Sequence, residues 1–108
     1  MSLKDRKKPR ALIHLPAEYY INENKTSCMV VDISLSGLRM NLPKEKEIPK
    51  TFEIFVFILP ETPPLHIKVK KVWRNQLQAG LEFIDLGKKE KMVFDALIKI
   101  HRAETLHI

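Results

Sequence analysis

Between residues 11 and 84 the apolar positions fall in short runs rich in β-branched and aromatic residues, broken by clusters of Pro, Gly and Asn. That texture belongs to strands rather than helices. It predicts six of them, over 11–20, 26–33, 37–42, 51–59, 65–73 and 77–84. The fifth is the clearest: Leu65, Ile67 and Val69 alternate with His66, Lys68 and Lys70, so one face is buried and the other wet. Val72 or Trp73 is expected to continue the buried set, and Phe55 with Phe57 to point into the core.

The segments 41–50, with Pro43 and Pro49, and 60–64 read as exposed connections, and Asn75-Gln76 as the turn of a hairpin. Short strands joined by short turns pair antiparallel, because parallel strands need long crossovers that this chain lacks. The result is a small β-barrel or sandwich. Beyond Gly87 the period changes. Met92, Val93, Ala96, Leu97 and Ile100 mark one side of a helix over 88–103, widened by Phe94 and Ile98. So apolar a helix must pack, and it is expected to close one end of the barrel rather than meet another subunit.

Length then limits the chain to one domain, since 108 residues hold one core. The expected division is an arm over 1–10, a barrel over 11–86, and a helix with its tail over 87–108. Cys28 is the only cysteine, so no intrachain disulfide forms, and its apolar neighbours Met29, Val30 and Val31 suggest a buried, inert thiol. The longest apolar run, 54–59, is far too short to span a bilayer, and no apolar segment follows the N-terminal charges. A cytoplasmic protein is expected.

Charge is unevenly spread. The net charge is +6, and Lys4, Arg6, Lys7, Lys8 and Arg10 against the single Asp5 put most of it in the first ten residues. A basic arm on a near-neutral body suits a phosphate-bearing partner, or is simply a solvated tail. Pro9 disfavours helix there, so the arm is expected to run extended, with Arg6 and Arg10 roughly 13 Å apart along the backbone.

Two motifs lie in connecting segments: Arg6-Lys7-Lys8-Pro9-Arg10, and Asp32-Ile33-Ser34-Leu35-Ser36-Gly37 between the second and third strands. A guanidinium is a planar fork that bonds phosphate, pairs with the O6 and N7 edge of guanine, or stacks on its face. Ionised Asp32 only accepts, which matches the N1 and N2 donors of guanine, while the Ser34 hydroxyl can donate to a phosphate or accept from a base. Gly37, lacking a Cβ, permits unusual backbone angles and close approach of a ligand. Taken alone, the second motif also reads as ordinary turn chemistry.

Together, Arg-x-x-x-Arg and Asp-x-Ser-x-x-Gly some twenty residues later resemble the signature of PilZ domains. The likeness extends to Gly37-Leu38-Arg39-Met40, Leu42-Pro43, Val69-Lys70-Lys71-Val72-Trp73, Ala79-Gly80-Leu81-Glu82-Phe83-Ile84 and the terminal helix. The resemblance covers nearly the whole chain, about 6–103. It implies a mainly β fold, a split barrel of six antiparallel strands with a C-terminal α-helix. It also implies a site for the bacterial second messenger cyclic di-GMP, formed by Arg6, Arg10, Asp32, Ser34 and Gly37. All five positions keep the family pattern; Asp5 beside the first motif is an electrostatic objection to an anionic ligand. Closure of the arm over the ligand is the expected relay. Family habit points to control of motility, surface polysaccharide or virulence.

Nothing in the sequence supports catalysis: there is no nucleophile elbow or phosphate loop, and the carboxylates are scattered. His14, His66, His101 and His107 have no metal-like spacing, so neither metal nor cofactor is expected. A domain of this kind signals through another protein, which the sequence leaves unidentified, and it leaves a homodimer open. The main alternative is a protein-interaction adaptor on the same fold, with the apolar helix as contact surface. Nucleic acid is not expected as a partner, because base stacking requires aromatics exposed together on one strand face.

Overall fold

Alternation is carried through the whole of β1 (Arg10–Ile21): Ala11, Ile13, Leu15, Ala17 and Tyr19 are buried, and the residues between them turn outward. The same two-residue period places Phe52, Ile54 and Val56 of β4 (Thr51–Val56) and Leu65, Ile67 and Val69 of β5 (Leu65–Arg74) in one shared core. The computed structural model describes residues 10–43 and 47–106, with side chains through His101. The remaining strands are β2 (Asn24–Ser34), β3 (Gly37–Asn41) and β6 (Gln78–Ile84).

All six strands pair antiparallel and close in the order β1-β2-β3-β6-β5-β4. Closure satisfies the edges that an open sheet would leave unpaired. The seam is short, joining Ala17, Glu18 and Tyr19 of β1 to Val56, Phe55 and Ile54 of β4. Asn22, at φ 53°, turns β1 into β2, a left-handed conformation that asparagine tolerates. At the β5–β6 hairpin the Asn75 side chain accepts from the backbone N–H of Leu77 (3.1 Å) and Gln78 (2.8 Å), fixing the turn into β6.

α1 (Lys88–Leu106) closes the barrel, as expected, with a narrower stripe than the apolar side expected. Phe94 and Ile98 enter the core, flanked by half-buried Val93 and Leu97, and the Phe94 ring stacks on Phe83 at 5.3 Å. Met92 and Ile100, expected on the packed side, are 73% and 54% exposed. Only one stripe of so apolar a helix fits against the barrel end.

Two further expectations are corrected. Phe52, not Phe55, lies in the core, because it shares the period of Ile54 and Val56; Phe55 turns outward, stacked on His66 at 4.5 Å and edge-on to Tyr20 at 5.5 Å. Phe57, past the strand end, is half-buried. Neither Val72 nor Trp73 continues the buried face of β5, since the β5–β6 register shifts between Lys71 and Trp73 and leaves both exposed. Cys28 is half-buried against the core, and desolvation pushes its thiol up to about 12. Among the described residues no helix is long and apolar enough to cross a membrane.

Candidate functional site

Strand register assembles the site. Asp32 on β2 stands opposite Arg39 on β3, Arg39 opposite Gly80 on β6, and Gly80 opposite Trp73 on β5. Directly opposed residues share a face, so four strands deliver a carboxylate, a guanidinium, a bare stretch of backbone and an indole in one row on the outside of the barrel. At its β1 end, Arg10 pairs with Ser34 and reaches back to Asp32.

Asp32 is a carboxylate only 7% exposed, and burial of such a charge requires a partner. Arg10 Nε donates to both its oxygens at 3.2 Å, and Arg39 Nη2 lies 3.7 Å from Oδ2. The Arg10 side chain remains 55% exposed, so Asp32 positions it while its outer nitrogens face solvent. A bulge between Val30 and Asp32 in the β2–β3 pairing sets this orientation.

Ser34 and Gly37 hold the turn. The Ser34 hydroxyl accepts from the N–H of Ser36 (3.2 Å) and Gly37 (3.3 Å), donates toward the Gly37 carbonyl (3.3 Å), and is all but fully buried. It also shares a hydrogen bond with the Ser36 hydroxyl, 3.1 Å away, which is the more exposed hydroxyl of the loop. Gly37 has no positive φ; its requirement is contact with β6, where a Cβ would stand 2.0 Å from the Leu81 carbonyl oxygen. The unusual backbone angle expected there is absent, and the close approach is to a strand.

Gly80 plays a parallel part. A Cβ there would fall 2.1 Å from Trp73 Nε1, so the indole lies across this glycine. The resulting cleft of about 160 Å³ is lined by Arg10, Ser36, Arg39, Trp73, Gly80 and Glu82, among others. A larger hollow of about 940 Å³ lies beyond the far end of β3, around Met29, Leu42, Pro43 and Leu77. None of its described lining residues is charged.

Residues 4–99 match the PilZ domain family. The chain belongs to that family. Its barrel is similar to the PilZ domain of YcgR from Escherichia coli with c-di-GMP, at 15% identity and a TM-score of 0.71, covering 93% of each chain. It is similar also to the Bacillus subtilis inhibitor of motility MotI/DgrA (12% identity, TM-score 0.72, 94% of this chain and 51% of that one). The PilZ domain of CeSA from a cellulose-synthesizing bacterium matches over 82% of this chain and 93% of that chain, at 9% identity and a TM-score of 0.61. No curated protein matches the sequence.

In this PilZ domain, Arg10, Asp32, Ser34 and Gly37 come together at one end of the β1–β2–β3 face, with Arg10 the first residue of β1 rather than the last of an arm. Arg6 lies outside the described residues. The sequence does not single out Arg39, Gly80 or Glu82 as site residues, and it offers Trp73 first as a packing or strand-end residue, with a place near the ligand as the lesser alternative. Their signal is cross-strand register, which becomes readable only once the pairs Asp32–Arg39 and Gly80–Trp73 are known. Among the described residues no cluster of His, Cys, Asp and Glu is arranged to hold a metal ion.

Proposed function

We propose that this PilZ domain is a non-enzymatic receptor for cyclic di-GMP, using Arg6, Arg10, Asp32, Ser34 and Gly37, and that it acts in the cytoplasm through a downstream protein. The observation that carries the reading is the outer row in which Arg10 and Arg39 converge on Asp32 beside a cleft backed by Gly80 and Trp73. Each part has a counterpart on the ligand. The outer nitrogens of Arg10 suit a phosphate or the O6 and N7 edge of guanine. Asp32 and Glu82 are acceptors for N1 and N2, and the Trp73 ring is a stacking surface for the base. Ser34 and Gly37 contribute by holding the loop that shapes the cleft floor.

The likeness to YcgR, whose PilZ domain is described with c-di-GMP, adds support. Relay by closure of the N-terminal arm concerns residues outside the described ones and rests on the sequence. The outward Tyr20–Phe55–His66 cluster is an aromatic surface of the kind nucleic-acid binding requires, but Glu18 pairs with Phe55 and Glu53 lies 3.1 Å from His66, and these carboxylates oppose a phosphate backbone.

Isothermal titration of cyclic di-GMP into the full chain tests the reading, with Arg6→Ala, Arg10→Ala and GTP competition as further arms. Binding that is lost in both variants and not displaced by GTP is the expected result. No heat and no ligand-dependent rise in melting temperature for the wild type would refute it.

A further inference from the structure

We infer that Arg39, which lies outside both signature motifs, is a third ligand-binding guanidinium of this site, contributing a hydrogen bond to a ligand phosphate or guanine. The inference rests on the receptor reading above and goes beyond it by adding a residue.

Arginine is a poor residue to leave without acceptors, since five N–H groups need partners. The other arginines with described side chains have them. Arg10 donates to Asp32, and Arg74 to the backbone carbonyls of Gln78 (3.4 Å) and Pro43 (3.2 Å). Arg39 makes no hydrogen bond among the described residues. Its approach to Asp32, at 3.7 Å, is electrostatic attraction beyond hydrogen-bond range, and its Nε is a buried donor without an acceptor. A buried unsatisfied donor is unfavourable and persists where the surroundings hold it or a ligand completes it.

Its surroundings point to the ligand. Arg39 lines the cleft, its side chain is 34% exposed, and on the strand it stands between Asp32 and Gly80, midway along the row that ends at Trp73. Arg10 Nε is shared between the two oxygens of Asp32, and Arg39 stands beyond hydrogen-bond range of the carboxylate, so Asp32 attracts it electrostatically without bonding it. A ligand anion entering over Gly80 meets a guanidinium that needs to break no hydrogen bond before binding.

The test uses the full chain in two measurements: titration of cyclic di-GMP into wild type, Arg39→Gln and Arg39→Lys, and ¹⁵N-detected arginine side-chain spectra of the wild type through the same titration. A lost hydrogen bond to a charged group predicts about 10- to 100-fold weaker binding for Arg39→Gln. Arg39→Lys, which keeps the charge but not the fork, recovers only part of it. The resonance absent from the Arg39 variants is expected to move downfield as ligand is added to wild type. Wild-type binding with unchanged Arg39→Gln affinity overturns the inference while leaving the receptor reading intact. So does weakened binding with an unmoved Arg39 resonance, which assigns the effect to support of Asp32. Failure of the wild type to bind removes the receptor reading itself, and this inference with it.

Discussion

Replacing Gly80 with alanine separates the placement of the Trp73 ring from the stability of the barrel. The new methyl would lie 2.1 Å from Trp73 Nε1 and 2.4 Å from Cε2, against 3.4 Å for ordinary contact, a deficit of about 1.3 Å. The atoms in the way belong to a side chain 42% exposed, so the ring moves rather than the backbone. Leaving its preferred rotamer costs about 0.5–1.5 kcal/mol. Removing a glycine from a strand returns about 0.5–1 kcal/mol, so net stability changes little. Loss of a base stack is worth about 1–3 kcal/mol, which predicts roughly 5- to 150-fold weaker binding of cyclic di-GMP. Trp73 is the only tryptophan, so its emission reports the displacement directly and is expected to shift to the red. Unchanged emission and unchanged affinity would refute the reasoning; weakened binding with unchanged emission would show that the ring is not the cause. Gly37→Ala is the contrast, because there the obstacle is the Leu81 carbonyl at 2.0 Å and only separation of β3 from β6 relieves it. That substitution should cost about 3 kcal/mol or more in thermal or urea unfolding.

The other predictions concern the core. Phe94→Ala, which empties the contact between α1 and Phe83, should destabilise the domain by about 3–5 kcal/mol in urea unfolding, while Met92→Ala on the exposed side should stay within about 0.5 kcal/mol. The Cys28 thiol, raised by desolvation from 9.0 to about 12, should resist alkylation at pH 8 in the folded protein and react readily in urea. Its folded value exceeds its unfolded one, so its contribution is complete below about pH 9 and is lost as pH rises toward about 12; Tyr19, also raised by burial, acts in the same direction. A urea midpoint that stays flat across that window would contradict the burial of both groups.

Six strands and the terminal helix were legible in the sequence, because alternation of small apolar and polar residues reflects which face of a strand meets the core. β1, β4 and the first part of β5 keep that period without a break. The motif residues were legible too, since Asp, Ser and Gly at that spacing form a turn wherever they occur, and the Ser34 hydroxyl does cap it. Faces were harder where runs were uniformly apolar. In Phe52-Glu53-Ile54-Phe55-Val56 two aromatics of opposite phase compete, and only the pairing partners decide that Phe52 faces inward. The helix offered more apolar surface than one barrel end can cover, so its buried stripe was settled by the shape it caps.

The sequence by itself determined that this chain makes a small antiparallel β domain with a helix, and that two arginines and an Asp-x-Ser-x-x-Gly turn are its distinctive chemistry. Tertiary structure alone decided what surrounds that chemistry. Bulges at Val30/Asp32 and Lys71/Trp73 shift the two-residue period by one, which turns Asp32 toward Arg39 and leaves Trp73 outside the core, across Gly80. Both bulges lie between consecutive strands, β2–β3 and β5–β6, but those two hairpins are set side by side by the pairing of β3 with β6, which are distant in sequence. No local pattern carries that information, so Arg39, Gly80 and Trp73 become neighbours only when the barrel closes.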